Sequence, residues 1–167
     1  MSKLIYNQLA NHKLFNKSVK FGLKRIKLAL KLLGNPERKL NNVIQVLGES
    51  GKFTTLYSLK SFIEANGQTT TMHISPSLKD IRERFYMGNR YLSHKEIKKT
   101  INQIEKLKIP LTVYECLTLV FILNASKLST DYNIQETGAL WRLDSNNIHD
   151  FPRLQICTNI NLSLIHI

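Results

Sequence analysis

Acidic side chains are scarce in this chain: across 167 residues, 12 aspartates and glutamates face 24 lysines and arginines, for a formal net charge of +12. Cysteine is scarcer. Cys116 and Cys157 stand apart and make no C-x-x-C pair, so two buried free thiols in a reducing cytoplasm are expected. Long apolar runs are missing too. The stretch Leu117 to Leu123 is far too short to span a bilayer, which argues against a membrane-spanning protein. The first residues lack a continuous apolar segment ending in a small-residue cleavage site, so no secretory signal is expected. Four prolines and seven glycines are spread without forming a low-complexity linker, and no internal repeat is visible. What remains is 43% hydrophobic and 22% charged, the composition of a soluble globular domain long enough to bury a core.

The positive charge has three candidate sources. Lysine and arginine crowd the first forty residues, where Glu37 is the only acid. Phosphate contacts with nucleic acid, attraction of small polyanions such as ATP, and the Lys-Asn-Ile bias of AT-rich coding would each produce it. No basic strand interleaved with aromatics and no zinc-finger spacing is present, so neither nucleic acid nor a membrane is expected as a partner.

Periodicity predicts an α/β chain. Val19, Leu23, Ile26, Leu30 and Leu33 recur at three- and four-residue steps, giving an amphipathic helix over 18–33 that Gly34 and Asn35-Pro36 stop. A basic amphipathic helix can lie on an anionic membrane, but packing on the domain surface is the reading preferred here. Val43 to Leu47 reads as a strand, about Thr54 to Ala65 as a helix, and Thr69 to Ile74 as a second strand. A polar loop through Gly88-Asn89 follows. Ser93-His94-Lys95-Glu96 and Thr112-Val113-Tyr114-Glu115 are capping boxes that open helices to about Leu107 and Lys127. Tyr132 to Gln135 and Leu154 to Cys157 complete the strands. Strands alternating with helices predict a mostly parallel sheet flanked by helices.

The segment Gly48-Glu49-Ser50-Gly51-Lys52-Phe53-Thr54 lies between the first strand and a helix. Glycines let backbone approach an anion, amides point at it, and the helix dipole with Lys52 favours its charge, the recipe for holding nucleotide phosphates. The spacing G-x-x-G-K-x-T is shorter than the common phosphate loop, so context must carry the motif. In an open parallel sheet ligands gather at the C-terminal strand ends. Ser75 follows the second strand and Glu136 the third, so a lysine, two hydroxyls and a carboxylate share one edge, a set suited to a triphosphate with Mg2+. Plain alternatives stay open: Thr54 as a helix cap, Ser75-Pro76 as a strand stop, Glu136 as a solvated turn residue, Asp144 as an Asx-turn former. His12, His73, His94, His149 and His166 have no metal-ligand spacing.

These residues together resemble a known family. Gly34-Asn35-Pro36-Glu37-Arg38-Lys39-Leu40, then Val43 to Val46 and the glycine-lysine loop, resemble the opening of folylpolyglutamate synthase/dihydrofolate synthase, a branch of the Mur-ligase-like ATP-dependent ligases. Ser75-Pro76-x-Leu78 with Arg82-Glu83-Arg84-Phe85 is similar to the family's S-P-x-L and N-E-R-I. Leu92-Ser93 looks like the relatives' I-S segment. Tyr114-Glu115-x-Leu117-Thr118 resembles F-E-x-L-T, and Glu136-x-Gly138-x-x-x-Arg142-Leu143-Asp144-x-x-Asn147 resembles E-V-G-L-G-G-R-L-D-A-T-N. The resemblance implies a truncated phosphate-loop ATP-binding domain. It also implies a reaction in which ATP phosphorylates a pteroate or folate carboxylate and glutamate attacks the acyl phosphate.

By that resemblance Lys52 is the catalytic lysine, and it holds the ATP phosphates with Gly48, Glu49, Ser50, Gly51, Phe53 and Thr54. Ser75 and Glu136 are Mg2+ ligands, while Ser75, Pro76, Arg84 and Asp144 border the pteroate or folate. ATP, folate and glutamate are the implied partners of a cytoplasmic monomer. Where relatives read G-T-N-G-K-G-[ST], this chain has Glu49, Ser50 and Phe53, and after Thr158 it lacks the family's Asp-His pair. These departures carry the alternative of a degenerate, non-catalytic nucleotide-binding relative. Family members are more than twice as long. Residues 1–161 are therefore expected to be a partial ATP-binding domain without the C-terminal domain, inactive alone. Residues 162–167 look like a non-native tail similar to translated sequencing adapter.

Overall fold

The computed structural model describes Leu9 and residues 22–138 and 141–160. Helix α1, Lys24–Leu32, buries Ile26, Ala29 and Leu30 and leaves its lysines outside. Its predicted first turn, residues 18–21, lies outside the described residues. Gly22, with φ of +132°, breaks the helical path, so Leu23 is the cap and the described helix starts at Lys24. Gly34 and Asn35 both take positive φ (+81° and +52°) and swing the chain into a 3-10 turn, Pro36–Lys39, as the Gly-Asn-Pro signal implied.

Five strands follow: β1 Val43–Leu47, β2 Thr70–His73, β3 Phe85–Met87, β4 Tyr132–Glu136 and β5 Leu154–Cys157. They form one sheet in the order β3-β2-β4-β1-β5. All neighbours are parallel except β2 and β3. Val46 pairs with Glu136 and His73 with Gln135, so the ends of β1, β2 and β4 lie level at one edge.

Strand β3 and the 3-10 turn Ile81–Arg84 stand where sequence predicted only a polar loop. Three residues are too few to carry a periodic signal. What forms them is tertiary: a capping box between Asp80 and Glu83 turns the chain, and Phe85 and Met87 then pair with His73 and Thr71.

Helix α2, Lys52–Ala65, packs Leu56 with Ile44, Val46, Met72, Ile74 and Ile134 on one sheet face. It begins earlier than predicted because Gly51, at φ +84°, turns the chain directly into the helix. On the other face, α1, α3 (His94–Glu105) and α4 (Val113–Ala125) share a core with Phe85 and Phe121. Helix α4 is buried from Glu115 to Leu123, which is why its sequence runs apolar without a polar stripe. Both capping boxes form as the sequence implied.

Cys116 is buried inside α4. Cys157, expected to be buried, is exposed, because β5 is paired only with β1 among the described residues and leaves Leu154 and Cys157 uncovered. No helix among the described residues is long and apolar enough to cross a membrane.

Candidate nucleotide site

The loop after β1 is shaped by close approach. A Cβ on Gly48 would collide with the Thr158 side chain, and the residue sits at φ +126°, so only glycine passes there. The segment after β5 braces the loop: Thr158 donates from its amide and its hydroxyl to the Leu47 carbonyl, at 2.9 and 3.0 Å, and the Glu49 amide donates to the Asn159 carbonyl at 2.7 Å. No side chain caps the N-terminus of α2. Its first amides are therefore open to an anion, with the helix dipole behind them.

Lys52 folds back over this loop. Its Nζ donates to the carbonyl oxygens of Gly48 (2.6 Å) and Glu49 (3.3 Å) and lies 3.7 Å from Glu136 Oε1. Phe53 is 45% exposed and rests against Tyr57 with ring centroids 4.5 Å apart. Ser50 and Thr54 are exposed.

Glu136 ends β4 and is 6% exposed, a buried carboxylate and not a solvated turn residue. Its Oε2 accepts the Ser75 amide at 2.6 Å. Burial pushes the Glu136 carboxyl above its usual range, against the pull of the Ser75 amide, Lys52 and Arg84. Lys52, Ser75 and Glu136, three residues from loops and strand ends far apart in sequence, thus meet at the edge the parallel topology predicts. Arg84 is buried close enough to act on Glu136 and His73. Pro76 is exposed beside this cluster.

Asp144 uses both carboxylate oxygens on backbone. Oδ1 accepts the Asn146 amide at 2.8 Å and Oδ2 the Gly138 amide at 2.9 Å, an Asx-type turn that ties down the segment after β4. Burial raises its pKa as well.

Sequence reading had not singled out three neighbours. Tyr114 receives a hydrogen bond from Asn146 Nδ2 at 3.1 Å, and His73, fully buried, stacks between Phe85 and Phe121 at 5.6 and 5.2 Å. Desolvation lowers the His73 pKa to about 3, so the ring is neutral. The available signal was a hydroxyl on Tyr114 where the resembling motif has a bare ring. A cavity of about 670 Å³ also exists, lined by Lys27, Arg38, Asp150 and Arg153 among others. It flanks Asn42 and Val43, at the opposite end of β1 from the phosphate-type loop.

A mostly parallel sheet that brings a glycine-flanked lysine, a hydroxyl residue and a buried carboxylate to one edge defines a phosphate-loop α/β domain of the Mur-ligase-like type. No family model matches the chain. The dihydrofolate synthase/folylpolyglutamate synthase of Buchnera aphidicola from Schizaphis graminum is 33% identical over 150 residues, which is 89% of this chain and 35% of that protein. Escherichia coli FolC in complex with DHPP and ADP superposes with a TM-score of 0.84 at 30% identity, over 96% of this chain and 38% of that one. A bifunctional folylpolyglutamate synthase/dihydrofolate synthase with Mn, AMPPNP and L-glutamate bound gives 0.81 at 30% identity, over 87% and 36%. The chain belongs to the dihydrofolate synthase/folylpolyglutamate synthase family and spans about 35% of the length of the curated relatives it matches, their N-terminal part.

Proposed function

We propose that this chain is the N-terminal part of an ATP-dependent ligase that joins glutamate to a dihydropteroate or folate carboxylate through an acyl phosphate. The meeting of Lys52, Ser75 and Glu136 at one sheet edge, in a chain whose relatives carry that name, is the observation behind it. Lys52 and the amides from Gly48 to Thr54 would hold the triphosphate. The Nζ that now rests on loop carbonyls would exchange them for phosphate oxygens, keeping its charge satisfied in both states. Glu49 and Ser50 contribute backbone to that cradle, while Phe53, turned onto Tyr57, leaves it open.

The residues present fit a divalent cation. Glu136 is a desolvated carboxylate and Ser75 adds a hydroxyl, two hard oxygen donors at one edge. Mg2+ takes few protein ligands and completes its shell with phosphate and water oxygens. When bound, it would neutralise charge developing on the transferring phosphoryl group. Arg84, Pro76, Ser75 and Asp144 would border the pteroate or folate, Asp144 by fixing the turn that shapes the pocket wall. The partners are then ATP, pteroate or folate and glutamate, in a cytoplasmic monomer with no nucleic-acid or membrane role. Residues 1–161 are assigned to a partial ATP-binding domain and 162–167 to a tail foreign to it, with the family's C-terminal domain outside this chain.

Titration of Mg-ATP into this chain and into Lys52→Ala tests the reading. The starting chain is expected to bind, and the variant to bind at least about tenfold more weakly, the loss of one charge-assisted contact. Equal, weak binding by both would overturn the enzyme reading and leave the degenerate, non-catalytic relative.

A further inference from the structure

Two positions where this chain departs from the family's motifs touch each other. F-E-x-L-T reads Tyr114-Glu115-x-Leu117-Thr118, and R-L-D-A-T-N reads Arg142-Leu143-Asp144-Ser145-Asn146-Asn147. Tyr114 thus adds a hydroxyl to a bare ring, and Asn146 puts a carboxamide where the motif has threonine. The Asn146 Nδ2 donates both to the Tyr114 hydroxyl, at 3.1 Å, and to the Glu136 carbonyl oxygen, at 2.6 Å. The Asn146 backbone is pinned as well, its amide on Asp144 Oδ1 at 2.8 Å and its carbonyl on Gln45 Nε2 at 2.6 Å. The residue cannot drift.

On its other side the Tyr114 hydroxyl lies within reach of the Ser75 side chain and feels the charges of Asp144, Glu136 and Arg84. A serine hydroxyl that gives its oxygen to a cation must send its proton elsewhere. The phenol oxygen is a fitting acceptor, one a phenylalanine lacks. Beneath the pair, neither ring nitrogen of His73 nor the Asn146 Oδ1 makes a hydrogen bond of good geometry, although the two side chains lie within reach. Buried polar atoms left short of partners destabilise a fold, and such atoms call for a functional explanation.

We infer that Tyr114 and Asn146 act as a positioning pair: together they fix the Ser75 hydroxyl and the end of β4, so that Ser75 and Glu136 present their oxygens to one divalent cation. The inference rests on the reading that this edge holds a metal-nucleotide.

The test is Mn2+ binding followed by electron paramagnetic resonance in the presence of AMPPNP. It compares the chain with Tyr114→Phe, Asn146→Thr and the double variant, each substitution restoring the motif residue. Nucleotide affinity in EDTA and thermal unfolding are measured beside it. Mn2+ affinity is expected to fall about tenfold or more in each single variant, as when an outer-shell partner of a metal ligand is lost. The double variant should be no weaker than Tyr114→Phe, while metal-free nucleotide affinity stays level. Mn2+ affinity within twofold of the starting chain in both single variants would overturn the pair and leave the nucleotide site standing. A parallel loss of metal-free nucleotide affinity and melting temperature would also overturn it, since that is general loosening. Failure of the starting chain to bind Mn2+ with AMPPNP would sink the site reading and the pair with it.

Discussion

Glu136 shows what a single residue costs a fold when it is kept for chemistry. Its carboxyl is held above its ordinary pKa by burial, so the folded chain binds its proton more tightly than the unfolded chain does. The sign follows: its contribution to stability is fully present below the unfolded carboxyl pKa and is lost as pH rises through the raised folded value. Glu136→Gln removes the charge and keeps an oxygen for the Ser75 amide. At pH 7, without metal, it is expected to raise the melting temperature by roughly 2 °C, read by calorimetry, while metal-nucleotide binding disappears. Lys52 shows the reverse bias. It is seated on two carbonyls of its own loop, so Lys52→Ala should cost about 1.5–3 kcal/mol of stability, read by calorimetry, and most of the nucleotide affinity.

At the level of elements, the helix caps are where sequence and structure agree most closely. Ser93/Glu96 and Thr112/Glu115 were readable because a capping box is a local device, complete within four residues. The box at α4 also does a long-range job that no local pattern announces: Glu115 receives Arg25 from α1 at 3.2 Å and is buried there. Thr112→Ala should therefore cost about 1 kcal/mol, the usual price of a cap. Glu115→Ala, which takes a buried carboxylate from beside a half-buried arginine, should cost about 3 kcal/mol, or roughly 6–12 °C in melting temperature.

At α3, the Arg90 fork and Ser93 hold the Glu96 carboxyl down to about 2. A depressed carboxyl stabilises above its unfolded pKa and stops doing so as pH falls toward the folded value. Glu96→Gln should melt lower than the parent at pH 7, and the two melting curves should converge near pH 2. Legibility failed elsewhere for identifiable reasons. Strand β3 depends on pairing with β2, and the exposure of Cys157 depends on which strands flank β5. Both are facts of tertiary placement. The nucleotide edge was legible because parallel topology sends strand ends to one side, so Lys52, Ser75 and Glu136 could be grouped before any coordinate. Tyr114 and Asn146 were not grouped, because their contact joins a helix start to a turn far along the chain.

At the scale of the whole molecule, one sheet face is covered by α2 and the other by α1, α3 and α4, but among the described residues the β5 margin is bare. Leu154 is 46% exposed, Ile160 49% and Phe151 97%, beside backbone groups that pair with no other strand among the described residues. An apolar, unpaired edge is a template for another chain. This chain alone is expected to self-associate at micromolar concentration in sedimentation velocity, and Leu154→Lys to shift it toward monomer. An unchanged distribution would place the contact elsewhere.

The strand order has a further consequence in time. Strand β1 pairs with β4 and β5 and with neither β2 nor β3, so Val43 must wait for Asn133, and the brace under Gly48 for Thr158. On a ribosome, the phosphate-type loop emerges early yet has nothing to lean on until nearly all of this stretch has been made. Such non-local pairing is slow to form. Strand β1 therefore stays unpaired until β4 has been made, and within this stretch the segment that would grip nucleotide is among the first translated and the last to take shape.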